Sequence, residues 1–271
     1  MKIEKLFGVS GKSVVITGGA SGIGLGIAEA FLDNGAKVCI VDINPAALSQ
    51  QVERLKAIGT AHAVAADISD SGSIEAALAE AAKVHGGIDI LFANAGTEAG
   101  VGFLSMSGER PAEGALENVE EANWDKVIAI NLTGAMLSAR AVVPYMKEKG
   151  AGRIIVTSSI AATTPSAITS VGYCASKAGV SHLVRRMAIE LAKFNILVNE
   201  LAPGGVITNI NNGMWTDQAM IKATEMAVPL HRVAQPEDLV GIALYLAAPA
   251  SSYVTGARFV VDGGMTLGMV D

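Results

Sequence analysis

A phenol and an ammonium group one helical turn apart can pass a proton to and from a reacting oxygen. The stretch GYCASKAG places Tyr173 and Lys177 at i and i+4, on one face of a helix. That helix continues with Val180, Leu183, Val184, Met187, Ala188 and Leu191, so both polar groups project from the start of a well-packed segment. Reducing a ketone needs a proton delivered to oxygen, and oxidising an alcohol needs it removed. A free tyrosine, with a pKa of about 10, is a poor base near neutrality. A lysine cation roughly 5 Å away, at an effective dielectric of about 20, contributes about 3 kcal/mol, or about two pK units. The spacing therefore predicts a phenol drawn down into a useful range. Tyr and Lys also fall at this spacing by chance, so the pair gains meaning from its company. The run RIIVTSSIAA ends in Ser158 and Ser159, whose hydroxyls would lie beside Tyr173 if the next loop folds back. A strand-end serine is otherwise a turn residue.

A second constellation stands near the start of the chain. VVITGGASGIG places Gly18, Gly22 and Gly24 directly after a strand and at the opening of a helix. Glycines there let the backbone turn tightly and approach a pyrophosphate, whose charge a helix N-terminus favours, and Ser21 adds a hydroxyl. Asp42 closes the next strand, KVCIVD, and can accept both hydroxyls of an adenosine ribose while repelling a 2′-phosphate. Ile43 follows it rather than an Arg or Lys, so NAD is favoured over NADP. The alternative is that Asp42 only caps the next helix. Asp67 ends the third strand and Asn94-Ala95-Gly96 the fourth, where open α/β sheets bind ligands, although an Asp in that place also serves as a helix cap.

The elements that must hold these groups alternate along the chain. Short apolar runs lie at Val14–Thr17, Lys37–Asp42, Ala61–Asp67, Ile88–Ala93, Arg153–Ser159, Ile196–Leu201 and Arg258–Val261. Between the first two, Ile23, Ile27, Ala28, Phe31 and Leu32 share a helix face that ends at Asn34-Gly35. Pro45 suits the first turn of the next helix, and Trp124 to Met146 reads as one long helix crossing the sheet. The pattern predicts an α/β, doubly wound, three-layer fold on a parallel sheet, in one domain over residues 1–271. Two stretches break the alternation, Thr97–Glu121 and Gly205–Pro229, the second holding Met214 and Trp215 as a candidate apolar substrate wall. Long ordered loops are usually functional.

Composition narrows the function classes. Apolar residues are 51% and charged ones 17%, which supports a large core and excludes a disordered chain. A net charge of −6 gives no support to nucleic-acid binding or to an anionic membrane surface. Cys39 and Cys174 form no disulfide framework or metal pattern, and MKIEKLFGVSGKSVVITGG holds no apolar stretch long enough for a signal peptide or span. A cytoplasmic protein with free thiols and no metal is expected.

Together these residues resemble the short-chain dehydrogenase/reductase family over nearly the whole chain. Its motifs occur in order: TGGASGIG at Thr17–Gly24, Asp42, Asp67, Asn94–Gly96, Asn131 in INLTG, the serine pair, Tyr173-x-x-x-Lys177, Pro203-Gly204, Thr208 and VDGG at Val261–Gly264. The resemblance implies a Rossmann-type sheet of seven parallel strands and a homo-oligomer, with a tetramer favoured. It implies that Tyr173 is the acid/base, that Lys177 binds the nicotinamide ribose and lowers the tyrosine pKa, and that Ser159 holds the substrate oxygen. Asn131 would position a water linking Lys177 to solvent. The cofactor side would comprise Gly18, Ser21, Gly22, Ile23, Gly24, Asp42, Ile43, Asp67, Ile68, Asn94, Ala95 and Gly96, and beyond them Pro203, Gly204, Val206 and Thr208. Three departures stand out. Ser159 lies 14 residues before Tyr173 where 13 is common, the loop before Asn131 is longer than usual, and Glu200 replaces a small or apolar residue. The expected activity is hydride transfer between NAD(H) and a secondary alcohol or ketone. The alternatives are an NADP-dependent 3-oxoacyl-thioester reductase and a non-catalytic NAD-binding sensor.

Overall fold

Alternate side chains of each strand point to opposite faces, and here both faces are apolar. In β1 (Ser13–Thr17), Val14 and Ile16 join one core and Val15 the other. Strands buried on both sides belong in a parallel sheet covered by helices. The computed structural model, which describes residues 2–105, 108–208 and 218–268, has that architecture. Seven parallel strands run in the order β3-β2-β1-β4-β5-β6-β7. They are β1, β2 (Lys37–Asp42), β3 (Ala61–Ala65), β4 (Ile90–Ala93), β5 (Gly152–Thr157), β6 (Ile196–Pro203) and β7 (Arg258–Val261).

Helices α1 (Ile3–Phe7), α2 (Gly22–Asp33), α3 (Pro45–Lys56) and α4 (Ser71–His85) alternate with the first strands. Then follow α5 (Glu121–Val127), α6 (Ala135–Lys149), α7 (Val171–Leu191), α8 (Gln218–Ala227) and α9 (Val240–Ala247). One core packs α2, α3 and α9 on the sheet, with Phe31 edge-on to Phe92 at 5.2 Å. The other packs α4, α6 and α7 around Leu78, Val142, Val184 and Val156.

The strand runs read from sequence are correct in place and type; Lys37–Asp42 and Arg258–Val261 match at both ends, and the other five differ there. The third stops at Ala65 rather than Asp67, because the Asp67 carboxylate turns back to accept the Ser69 N–H and O–H at 2.8 and 2.7 Å. The sixth runs on to Pro203, paired with Val261 of β7. The helix expected over Trp124–Met146 extends from Glu121 to Lys149, and a widened π turn at Ile128–Gly134 interrupts its α geometry. By length and mean hydropathy (1.5) it could cross a membrane, but Leu137, Ala139, Val142 and Met146 face the core. Gly205–Pro229 is not all loop, since α8 lies within it; Met214 and Trp215 fall outside the described residues.

Candidate active site

The order of the sheet reverses between β1 and β4, the kind of switch point beyond whose strand ends open α/β sheets bind ligands. Gly18 adopts φ +64°, and a Cβ on it would come within 2.8 Å of the Ala95 Cα, so the turn and its closeness to the fourth strand both require glycine. Thr17 Oγ1 accepts the N–H groups of Asn94 and Ala95 at 3.0 and 3.1 Å, and Asn94 Nδ2 donates to the Thr17 carbonyl at 3.2 Å. Thr157, at the end of β5, donates to Asn94 Oδ1 at 3.1 Å. Asn94 thus ties three strand ends together.

The glycine turn leads into α2. Ser21 holds the N-cap position in extended backbone, and its hydroxyl makes no cap hydrogen bond. Gly24 is buried in the first turn beside half-buried Ile23. Gly22, at φ +52°, faces Thr208: a Cβ there would lie 3.0 Å from the threonine methyl. Asp42 stands beside this turn, accepting the Ala20 N–H at 3.2 Å and the Asn44 N–H at 3.1 Å. It does not cap α3, because Asn44 does so, through Ala46 and Ala47. Asp67 likewise leaves the cap of α4 to Asp70. Ile43 is 67% exposed, whereas Ile68 is turned into the core against Gly134. On the far side, Pro203 ends β6, Gly204 donates to the Val261 carbonyl at 3.0 Å, and buried Val206 bridges to Ala234.

The polar residues at the start of α7 reach the end of β5. Ser170 caps the helix by accepting the Tyr173 N–H at 3.2 Å, and its own hydroxyl donates to Glu98. Lys177, 4% exposed, donates to the Thr157 carbonyl at 3.0 Å, and its Nζ lies 5.6 Å from the centre of the Tyr173 ring. The Ser159 hydroxyl favours the Tyr173 anion and accepts the Ala161 N–H at 3.1 Å. Ser158 is turned away and donates to Glu200, so of the two serines only Ser159 meets the phenol. Between Ser159 and Tyr173 the chain forms the 3-10 turn Ile160–Ala162 and a loop that leads to the Ser170 cap.

Asn131 sits in the π turn, buried. It accepts the Thr97 N–H at 2.7 Å and donates to the Thr97 carbonyl at 2.9 Å and to Ser176 at 3.1 Å. A Cβ on Gly96 would lie 3.3 Å from Asn131 Oδ1 and 3.4 Å from Lys177 Nζ, so asparagine and lysine flank the same glycine. The side chain therefore holds the loop after β4 at Lys177's elevation, a structural use the sequence did not reveal.

Electrostatics correct one expectation. Burial pushes the Tyr173 hydroxyl up to about 12, against the Ser159 hydrogen bond that favours its anion; Glu98 and Cys174 push it further up. Burial also pushes Lys177 down to about 8, partly offset by the carboxylates of Glu200 and Glu98. In the protein by itself, desolvation outweighs the attraction the spacing predicted. Glu98 is raised to about 7, chiefly by burial. Part of Thr97–Glu121 packs beside this site, since Leu104 donates to the Ala167 carbonyl at 3.0 Å, ahead of α7, whereas Val101, Phe103 and Leu116 stay exposed. Among the described residues no cluster of His, Cys, Asp and Glu could hold a metal, and both cysteines are free thiols.

A doubly wound sheet with a glycine turn at its switch point and a serine, tyrosine and lysine at its carboxyl ends defines a dinucleotide-type oxidoreductase fold. The sequence profile described as enoyl-(acyl carrier protein) reductase matches residues 18–266. Glucose 1-dehydrogenase of Gluconobacter oxydans is 36% identical over 261 residues, 95% of this chain and 93% of that protein. A short-chain type dehydrogenase/reductase from Mycobacterium marinum superposes with a TM-score of 0.87 at 32% identity, over 98% of this chain and 99% of the other. A gluconate 5-dehydrogenase from Burkholderia cenocepacia, solved with NADP and tartrate, gives 0.87 at 30% identity, over 99% and 100%. The chain belongs to the short-chain dehydrogenase/reductase family and is an oxidoreductase of CH–OH groups.

Proposed function

We propose that this protein interconverts a secondary alcohol and a ketone with NAD(H), using Tyr173 as acid/base. The observation that carries the reading is the meeting of three groups: the Lys177 ammonium lies 5.6 Å from the Tyr173 ring, and the Ser159 hydroxyl favours the tyrosine anion. When bound, the nicotinamide accepts or supplies the hydride. Ser159 holds the substrate oxygen. Tyr173 takes the alcohol proton during oxidation and returns it during reduction. Lys177 opposes the charge left on the phenolate, and Asn131 keeps the Thr97 loop and α7 in register beside it, where a water could lead its proton to solvent. Burial raises Tyr173, and the positive ring of an oxidised nicotinamide, when bound, would oppose that shift.

The glycine turn, the opening of α2, Asp42 with Ile43, the loops at Asp67-Ile68 and Asn94–Gly96, and the segment Pro203–Thr208 form the cofactor side in this reading. Asp42 supports NAD, since its carboxylate lies beside the phosphate turn and would repel a 2′-phosphate. The Burkholderia relative was solved with NADP, so the preference needs its own measurement. The names of the glucose and gluconate enzymes support polyhydroxylated substrates as the first to try. We also assign a single domain, a homotetramer and a cytoplasmic location to this reading.

The test is reduced-cofactor formation at 340 nm with NAD and NADP, against sugars, sugar acids, polyols, simple secondary alcohols and hydroxyacyl thioesters. Preference for NAD with one alcohol class is the expected result. Equal use of NADP with a hydroxyacyl thioester would replace the reading by a 3-oxoacyl-thioester reductase. Tyr173→Phe should lower kcat by about 10³-fold or more while NADH binding stays within twofold. A variant that keeps most of its turnover removes Tyr173 from the chemistry.

A further inference from the structure

Glu200 is the feature the family resemblance leaves without a role. It is a carboxylate at the centre of an apolar strand, 1% exposed, on β6 between β5 and β7. Its Oε1 accepts from Ser158 Oγ and, at 3.0 Å, from Arg258 Nε. Its Oε2 accepts from Ser181 Oγ at 2.7 Å, on α7 one turn beyond Lys177. Glu200 and Arg258 are register partners across β6 and β7. Arg258 does not stop at the carboxylate: its Nη2 donates to the Ser159 carbonyl at 3.0 Å and reaches toward that of Ile160 at 3.5 Å.

A buried carboxylate is retained only when its oxygens are satisfied, and this one has three donors, one of them a guanidinium. The donors come from three separate elements. Two of those elements carry site groups, the turn after β5 with Ser159 and the helix with Tyr173 and Lys177. The guanidinium is planar, so fixing Nε on Glu200 also fixes the direction in which Nη2 reaches the Ser159 carbonyl.

We propose that Glu200 and Arg258 are positioning residues for Ser159. The side chain of one and the fork of the other hold the Ser158-Ser159 turn from behind, so that the Ser159 hydroxyl stays on Tyr173. This rests on the role given to Ser159 above. Neither residue touches the substrate or cofactor side directly, and their effect passes through the serine.

The test is a double-mutant cycle on kcat, counted per NADH-binding site at a temperature where every variant is folded. Ser159→Ala alone should lower kcat by about 10²-fold. If it does not, the reading of the site fails, and the brace with it. Arg258→Met in the native background should lower kcat by about tenfold, with NADH affinity unchanged within twofold, and Arg258→Lys should fall between. In the Ser159→Ala background, either Arg258 variant should cost less than twofold further, because the group it positions has gone. Should Arg258→Met not fold, Arg258→Lys completes the same cycle. Full kcat in the Arg258 variants, or an equal loss in both backgrounds, overturns the proposal while leaving the role of Ser159 intact.

Discussion

Glu98 and Ser170 stand 72 residues apart in sequence and share a hydrogen bond at the head of α7. The glutamate is the most directly testable titrating group near the site. Its carboxyl is raised from 4.5 to about 7, mainly by burial. Between those values the folded protein holds a proton that the unfolded chain has released, so stability is full below the unfolded value and falls as pH rises through the folded one. Glu98→Gln should flatten the dependence of urea midpoint on pH between about 4.5 and 7, while the native protein slopes downward. At the same scale, Asp42→Ala should weaken NAD binding and raise activity with NADP, read as the ratio of kcat/KM for the two cofactors; an unchanged ratio removes Asp42 from cofactor choice. The residues that could be found from sequence were those in short local motifs, such as Gly18 to Gly24 or Tyr173 to Lys177. Glu200 was visible as a charge in an apolar run, but its partners lie 42, 19 and 58 residues away, and nothing local announces them.

The elements were legible because each strand is apolar on both faces and each helix repeats its apolar face at the helical period. What stayed hidden were places where side-chain hydrogen bonds, some local and some distant, override the local pattern. The π turn at Ile128–Gly134 is one: Ser138 donates to the Gly134 carbonyl at 2.7 Å, and Asn131 is fastened to Thr97 rather than to its own helix face. The early end of β3 is another, set by the carboxylate of Asp67 and two groups of Ser69. The turn between β1 and α2 permits a sharper test. Gly18→Ala places a Cβ against backbone at a positive φ, so it should cost about 1 kcal/mol or more and weaken NADH binding by tenfold or more. Calorimetry and a fluorescence titration of NADH would measure both. A variant with native affinity would mean that this turn does not cradle the dinucleotide.

As a whole molecule, the protein leaves its outermost strand partly uncovered. β7 lies at one edge of the sheet, Val260 on it is 41% exposed, and Tyr253 and Leu267 nearby in sequence are fully or largely exposed. Apolar side chains at an open sheet edge are normally covered by another chain. The tetramer we propose should appear in light scattering as a mass of four times 27.7 kDa, and Val260→Lys should lower it. A native mass of one chain would show that this edge is left to solvent.

The strand order also sets a sequence in time. The glycine turn, Asp42, Asp67 and Asn94 come from the first half of the chain and lie around the first four strands, whereas the guanidinium behind Ser159 comes from the seventh. A growing polypeptide leaving the ribosome therefore carries the glycine turn, Asp42, Asp67 and Asn94 long before Arg258 is made. Until that strand docks, the serine turn lacks its brace. With the brace as proposed, the serine turn reaches its final setting only when the last strand is in place.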